Sequence, residues 1–148
     1  MQNKIFLKIL SLISIFKIRF FRVIDDSMYP ILKDNQLIIV NTSVFQKRKI
    51  KRGDIVIFKI KGKEIKYIKR VVAIPKDKII VDSKGVNVND SDFFQHNYSG
   101  KYKLKSFYLL EEQYFVLAEN RNVSSMFDSR SLGVISSSEI IGKVVRVL

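Results

Sequence analysis

Two side chains in this sequence have chemistry that could be combined, the hydroxyl of Ser27 and the amine of Lys69. Ser27 lies in Asp26-Ser27-Met28-Tyr29-Pro30, where the proline three residues on restricts the backbone. A serine attacks a carbonyl only when a neighbouring base takes its proton. Lys69 lies in Tyr67-Ile68-Lys69-Arg70-Val71-Val72-Ala73-Ile74-Pro75, an apolar run that reads as a strand. Alternation puts Tyr67, Lys69 and Val71 on one face and Ile68, Arg70 and Val72 on the other, so one of the two cations turns inward. Burial disfavours the charged form of a lysine, and a neutral amine is a competent general base near neutral pH. Each segment also has a plainer reading, the first as a helix-to-strand turn and the second as an edge strand with both cations in water. The single histidine, His96, sits in a polar Asn/Gln/Ser-rich stretch and reads as a solvated loop residue, which argues against a Ser-His-Asp triad. No cysteine is present, so disulfides and thiolate metal sites are excluded.

The elements that must hold these residues are mostly strands. From Gln36 onward, short β-rich runs alternate with turn signals, and the spacing predicts strands over Gln36–Asn41, Asp54–Ile60, Ile65–Ala73, Lys78–Val81, Val86–Asn89, Tyr114–Ala118 and Ile141–Val147. No internal repeat and no long helical period follows residue 33. The expected architecture is a mostly antiparallel β domain over residues 25–148, coiled or barrel-like, preceded by one N-terminal helix within residues 1–24. In residues 4–24, Lys4, Lys8, Ser11, Ser14, Arg19 and Arg22 gather in one sector, opposite Ile5, Phe6, Ile9, Leu10, Ile13, Phe16, Phe20 and Phe21, with Lys17 as the main violation. That pattern predicts a membrane-associated helix, either amphipathic in the interface plane or a short transmembrane span, and a core-facing helix shares it. A cleaved signal peptide fits poorly, because no small-x-small site follows.

A chain of 148 residues, 47% hydrophobic, suits one domain with one core. Its formal net charge of +13 would attract anionic lipid or nucleic acid. The basic residues run from Lys4 to Arg146 without a dedicated block, so no nucleic-acid partner is expected.

Five segments in order complete the pattern: Ser27-Met28-Tyr29-Pro30; Arg52-Gly53-Asp54-Ile55-Val56; Tyr67 to Pro75; Asn120-Arg121 followed by Asp128-Ser129-Arg130; and Ile140-Ile141-Gly142-Lys143. Each alone is weak. Together, from about Val23 to Lys143, they resemble the bacterial type I signal peptidases, a family of serine peptidases with a Ser/Lys dyad. The resemblance implies that Ser27 is the nucleophile and Lys69 the general base. Tyr67 would shield the lysine, Ser124 or Ser125 would orient its amine, and Asp128 and Arg130 would brace the site, with Arg70 as an ion partner of Asp128. Val23, Met28 and Ile68 match positions lining shallow pockets that demand small side chains. The family cleaves exported preproteins after small-x-small sites, which implies signal peptides and a lipid surface as partners and the outer face of the bacterial cytoplasmic membrane as the location. No metal or organic cofactor is implied.

This sequence departs from the family pattern in several places. Asp25 stands where Ser or Gly is usual, two residues before the nucleophile, and a carboxylate there cannot donate to an oxyanion. Either it points away or activity is impaired. The loop from Asn122 to Phe127 is longer than the family pattern, and Glu119 replaces the usual Asp. These departures motivate an alternative, a catalytically impaired member that binds signal peptides or a membrane partner. A self-cleaving repressor-type Ser-Lys peptidase is a third reading, opposed by the absence of a helix-turn-helix segment before Ser27.

Overall fold

The structure is a computed structural model and describes residues 17–43, 50–95, 104–121 and 127–148. Two antiparallel sheets form its framework. The larger sheet contains β1 (Ile18–Arg22), β2 (Leu37–Asn41), β3 (Ile55–Lys59), β4 (Lys66–Ala73), β9 (Gln113–Leu117), β10 (Ile135–Ser136) and β11 (Ile140–Val147), in the order β1-β2-β11-β3-β4-β9-β10. The smaller sheet contains β5 (Lys78–Val81), β6 (Gly85–Val88), β7 (Asp92–Gln95) and β8 (Lys105–Tyr108), in the order β7-β6-β5-β8. One short helix, α1 (Ser129–Leu132), packs beside β9.

The seven predicted strands are present, with ends that differ by a residue or so. Their β-branched and aromatic runs, such as Ile-Val-Ile-Phe in β3, fit a pleated surface that is buried on one or both faces. Four further strands, β1, β7, β8 and β10, were not anticipated. β1 is also a correction: the helix expected within residues 1–24 does not extend through Ile18–Arg22, which pairs with β2 from Ile18↔Asn41 to Arg22↔Leu37. Five residues are too few to separate a period of 3.6 from a period of 2. The backbone groups of β2 supply the partners that decide the matter. Among the described residues the β structure therefore starts at residue 18 rather than 25, and residues 1–16, which carry most of the expected helix, lie outside the described residues. Among the described residues no helix is long and apolar enough to cross a membrane.

Three buried clusters hold the sheets. On one face of the larger sheet, Val56, Phe58, Tyr67, Val71, Tyr114, Val116, Ile135 and Ile140 pack together. Between the two sheets, Val72, Ala73, Phe115 and Leu117 meet Ile79, Val81, Val86, Val88 and Leu109. Around the turn that carries Ser27, Val23, Met28, Leu32, Ile38, Val40 and Ile57 form the third cluster. The close approach of β11 to β2 requires a glycine, since a Cβ on Gly142 would lie 2.6 Å from the Asn41 carbonyl oxygen. An ion pair ties the sheets at their border. Arg52 Nε donates to Asp77 Oδ2 at 2.8 Å, and Asp77 also accepts from Ile74 N and Asn89 Nδ2.

Candidate active site

β4 delivers the lysine. Its alternation turns Tyr67, Lys69 and Val71 inward and leaves Ile68 and Arg70 half-buried, so Lys69 is the cation that faces in, with 3% of its surface exposed. Pairing with β3, Val56 opposite Lys69 and Phe58 opposite Tyr67, fixes the strand in place. Ser27 comes from the turn between β1 and β2. That turn is anchored at both ends, by Val23 N to Gln36 O and Asn35 N to Val23 O, and the Tyr29–Pro30 peptide is cis. Met28 and Leu32 are its fully buried anchors.

The two residues, far apart in the chain, meet in the fold. Lys69 Nζ donates to Ser27 Oγ at 2.9 Å and to the Ile68 carbonyl at 2.9 Å. Burial holds the Lys69 amine below the ordinary lysine value, with Asp25 and Asp128 partly opposing the shift and Arg130 adding to it. Tyr67 lies in an aromatic row, its ring 5.5 Å from Phe58 and 5.7 Å from Phe127. Tyr67 and Phe127 line the same groove as Lys69.

A groove of about 540 Å³ opens over the pair, and its walls include Val23, Ile24, Ile38, Ile57, Ile65, Ile68 and Phe127. Of the three expected pocket residues, Val23 and Ile68 line it. Met28 does not. It is fully buried in the cluster beneath, because the turn uses its side chain as an anchor. Ile57 and Phe127 were not anticipated as lining residues; alternation in β3 and the aromatic next to Asp128 were the available signals.

The brace is built from Asp128, Ser129 and Arg130. The Asp128 carboxylate accepts from Ala118 N at 3.0 Å, caps α1 through Arg130 N, and accepts from Arg130 Nη2 at 2.7 Å. Ser129 Oγ accepts from Val116 N at 2.9 Å, so consecutive residues dock the loop on β9. Ser129 was not anticipated as part of this brace, although it lies inside the Asp-Ser-Arg triplet. The expected Arg70–Asp128 pair is a correction. Arg70 faces away from Asp128, where Nε donates to Glu119 Oε2 at 2.7 Å and Nη1 to the Gly53 carbonyl. The pleat is the reason, since Arg70 and the inward Lys69 must point to opposite faces of β4. Ser124, Ser125 and His96 lie outside the described residues. Among those described, no group of acidic or histidine side chains could hold a metal.

For Asp25 the expectation that it points away is overturned. It lines the groove and does not point away; Oδ1 accepts a hydrogen bond from Ser27 N at 2.7 Å. The available signal was the spacing itself, since an aspartate two residues before a backbone N–H forms an Asx turn.

The family model described as signal peptidase, peptidase S26, matches residues 3–148. Signal peptidase IB of Staphylococcus aureus strain Mu50 is 31% identical over 156 aligned residues, covering 92% of this chain and 80% of that protein. Signal peptidase I of Bacillus caldolyticus is 33% identical over 135 residues, covering 80% of this chain and 72% of that protein. The crystal structure of a signal peptidase I from Enterococcus faecalis V583 aligns with a TM-score of 0.49 at 20% identity, over 65% of this chain and 97% of that one. With a family model spanning the site and both sheets, this chain belongs to the signal peptidase family, peptidase S26.

Proposed function

We propose that this protein is a serine endopeptidase that removes signal peptides from exported preproteins, with Ser27 as nucleophile and Lys69 as general base. The observation that carries the reading is the 2.9 Å contact between Lys69 Nζ and Ser27 Oγ, in a site where the lysine is almost fully buried and the serine borders an open groove. In the neutral form of Lys69 the contact reverses and the hydroxyl donates to the amine lone pair. Ser27 Oγ bonds to the scissile carbonyl carbon as its proton passes to Nζ. The amine then gives that proton to the leaving nitrogen, and the C–N bond breaks to leave an acyl-enzyme. Water, deprotonated by the same amine, attacks the ester carbon, and the C–Oγ bond breaks as the amine returns that proton to Ser27 Oγ. Ile57 and Ile68 crowd the groove beside the dyad, which suits a preference for small residues next to the scissile bond, as in Ala-x-Ala.

The site belongs at a lipid surface in this reading. Phe20 and Ile24, just before Ser27, expose 62% and 80% of their surface. Apolar side chains of this kind seat well at a membrane interface. The proposed location is the outer face of the bacterial cytoplasmic membrane, where preproteins emerge.

The test uses the full chain and a purified preprotein with an Ala-x-Ala site. Ser27→Ala should abolish cleavage while leaving the thermal transition in place. A Ser27→Ala protein that still processes the preprotein, or that sustains secretion in cells, would end this reading and leave the binding-only alternative.

A further inference from the structure

Attack on a carbonyl places negative charge on its oxygen, and the donor nearest that oxygen is the nucleophile's own backbone N–H. Here that N–H is already engaged by the carboxylate of Asp25, at 2.7 Å. The contact is held from behind. Asp25 N donates to Asp34 Oδ1 at 2.9 Å, and Asp25 adopts φ of 75°, a left-handed conformation that aspartate enters more readily than most residues. A hydrogen bond to a charged acceptor is also of the stronger kind. A scissile carbonyl that approaches Ser27 N therefore meets an anion in the position its own oxygen must take.

We propose that Asp25 gates the oxyanion site: its carboxylate occupies the Ser27 N–H in the free enzyme, and turnover requires a substrate that fills the apolar groove well enough to displace it. The proposal rests on the Ser27–Lys69 reading. Asp25 is then a positioning residue that restrains acylation, and it discriminates between substrates. A signal peptide with a long apolar segment has binding energy to spend on displacing the carboxylate. A short peptide carrying only the cleavage site does not. Indiscriminate cleavage of exposed Ala-x-Ala sequences in folded or mature proteins is thereby suppressed.

Removing the carboxylate has a second consequence. Lys69 is faced by Asp25, Asp128 and Arg130, and Asp25 is among the groups that raise its proton affinity against the effect of burial. Asp34 backs Asp25, and Arg22 and Lys66 border the same groove. Without Asp25, the lysine loses its proton at lower pH, and the alkaline onset of activity moves toward neutrality.

The experiment compares wild type, Asp25→Gly, Asp25→Asn and the Asp25→Gly/Ser27→Ala double variant on a preprotein and on a short peptide spanning the same site. Glycine suits the positive φ, so the turn is retained. Asparagine removes the charge but keeps an acceptor for Ser27 N. Asp25→Gly should raise kcat/KM on the short peptide roughly tenfold or more, the scale of one charge-assisted hydrogen bond, and on the preprotein by less. Asp25→Asn should give a smaller rise. Both single variants should show an earlier pH onset. Unchanged or slower cleavage of the short peptide, equal gains on both substrates, or an unshifted onset overturns the gate. Should Asp25→Gly fail to fold, the rate and pH onset of Asp25→Asn decide alone. The double variant separates the two ideas: if it keeps the cleavage seen in Asp25→Gly, Ser27 is not the nucleophile and the peptidase reading itself falls; if it is inert while Asp25→Gly shows no gain, only the gate falls.

Discussion

Arg130 and Lys69 are both buried cations within one site, and the fold treats them oppositely. Arg130 is matched at once by the adjacent Asp128, both side chains are fully enclosed, and Nε and Nη2 both donate to the carboxylate. Lys69 has no carboxylate within bonding distance among the described residues and leans on a hydroxyl and a carbonyl. A paired buried charge keeps its charge and braces a loop. An unpaired one gives up its proton more easily, as a general base must. On the proposed mechanism the contrast separates rigidity from reactivity: compensation is supplied where position matters and withheld where a proton would be transferred.

The comparison breaks most visibly at Lys69. In the proposed mechanism Lys69→Met removes the base, and cleavage of a preprotein should fall by roughly 10²-fold or more. Stability should be retained or increased, because a buried uncompensated charge is replaced by an apolar chain of similar length. The pH dependence follows from the lowered proton affinity. kcat/KM of the wild type should climb as pH rises through the depressed Lys69 value. The unfolded chain binds a proton at this lysine up to about pH 10.4, above the folded value, so stability also rises with pH between the two. Chemical denaturation across that window should show the rise in wild type and a flattened curve in Lys69→Met. An identical slope in both proteins would mean that Lys69 is not desolvated as described.

At the paired cation the expected effect is on folding instead. Asp128→Ala strands the Arg130 guanidinium and the Ala118 N–H, and should cost about 3–5 kcal/mol in urea unfolding. A loss below about 1 kcal/mol would show that water or a neighbouring group compensates Arg130 without the carboxylate.

The smallest effect is expected at the border pair Arg52–Asp77, which lies between the two extremes. Burial alone would raise the Asp77 carboxyl, but hydrogen bonds from Arg52, Ile74 N and Asn89 outweigh it and its pKa is lowered. A lowered carboxyl adds stability above the unfolded value near 3.9 and loses it as pH falls through the folded value. Since the Arg52 side chain is about a third exposed, Asp77→Asn should cost only about 1 kcal/mol at neutral pH. The gap between variant and wild type should close in acid. A gap that stays constant down to pH 2 would assign the loss to packing rather than charge.

Much of this was legible from local pattern. The run from Tyr67 to Val71 announced a strand with one cation inward, and the structure shows that cation to be Lys69. Ile55 to Phe58 announced a buried partner strand. Other features were illegible for identifiable reasons. Ile18–Arg22 satisfies two periodicities, and only pairing with β2 selects the strand. Arg70 carries the same charge toward Glu119 as toward Asp128, so its partner depends on which face β9 and the loop after it present. Met28 and Ile68 are both apolar residues beside the site, yet one anchors the turn and the other lines the groove.

By itself the sequence determined the residue types that make the chemistry available, the alternation that turns either Lys69 or Arg70 inward, and the small segments that mark the family. Side-chain period and composition are local properties, so a linear chain carries them openly. Only the tertiary structure decided that Ser27 and Lys69 come within 2.9 Å, that Asp25 turns back onto the Ser27 N–H, and that Arg70 pairs with Glu119. These depend on how strands distant in sequence align and how a turn closes over them, and a displacement of one residue in that register would point every one of these groups elsewhere.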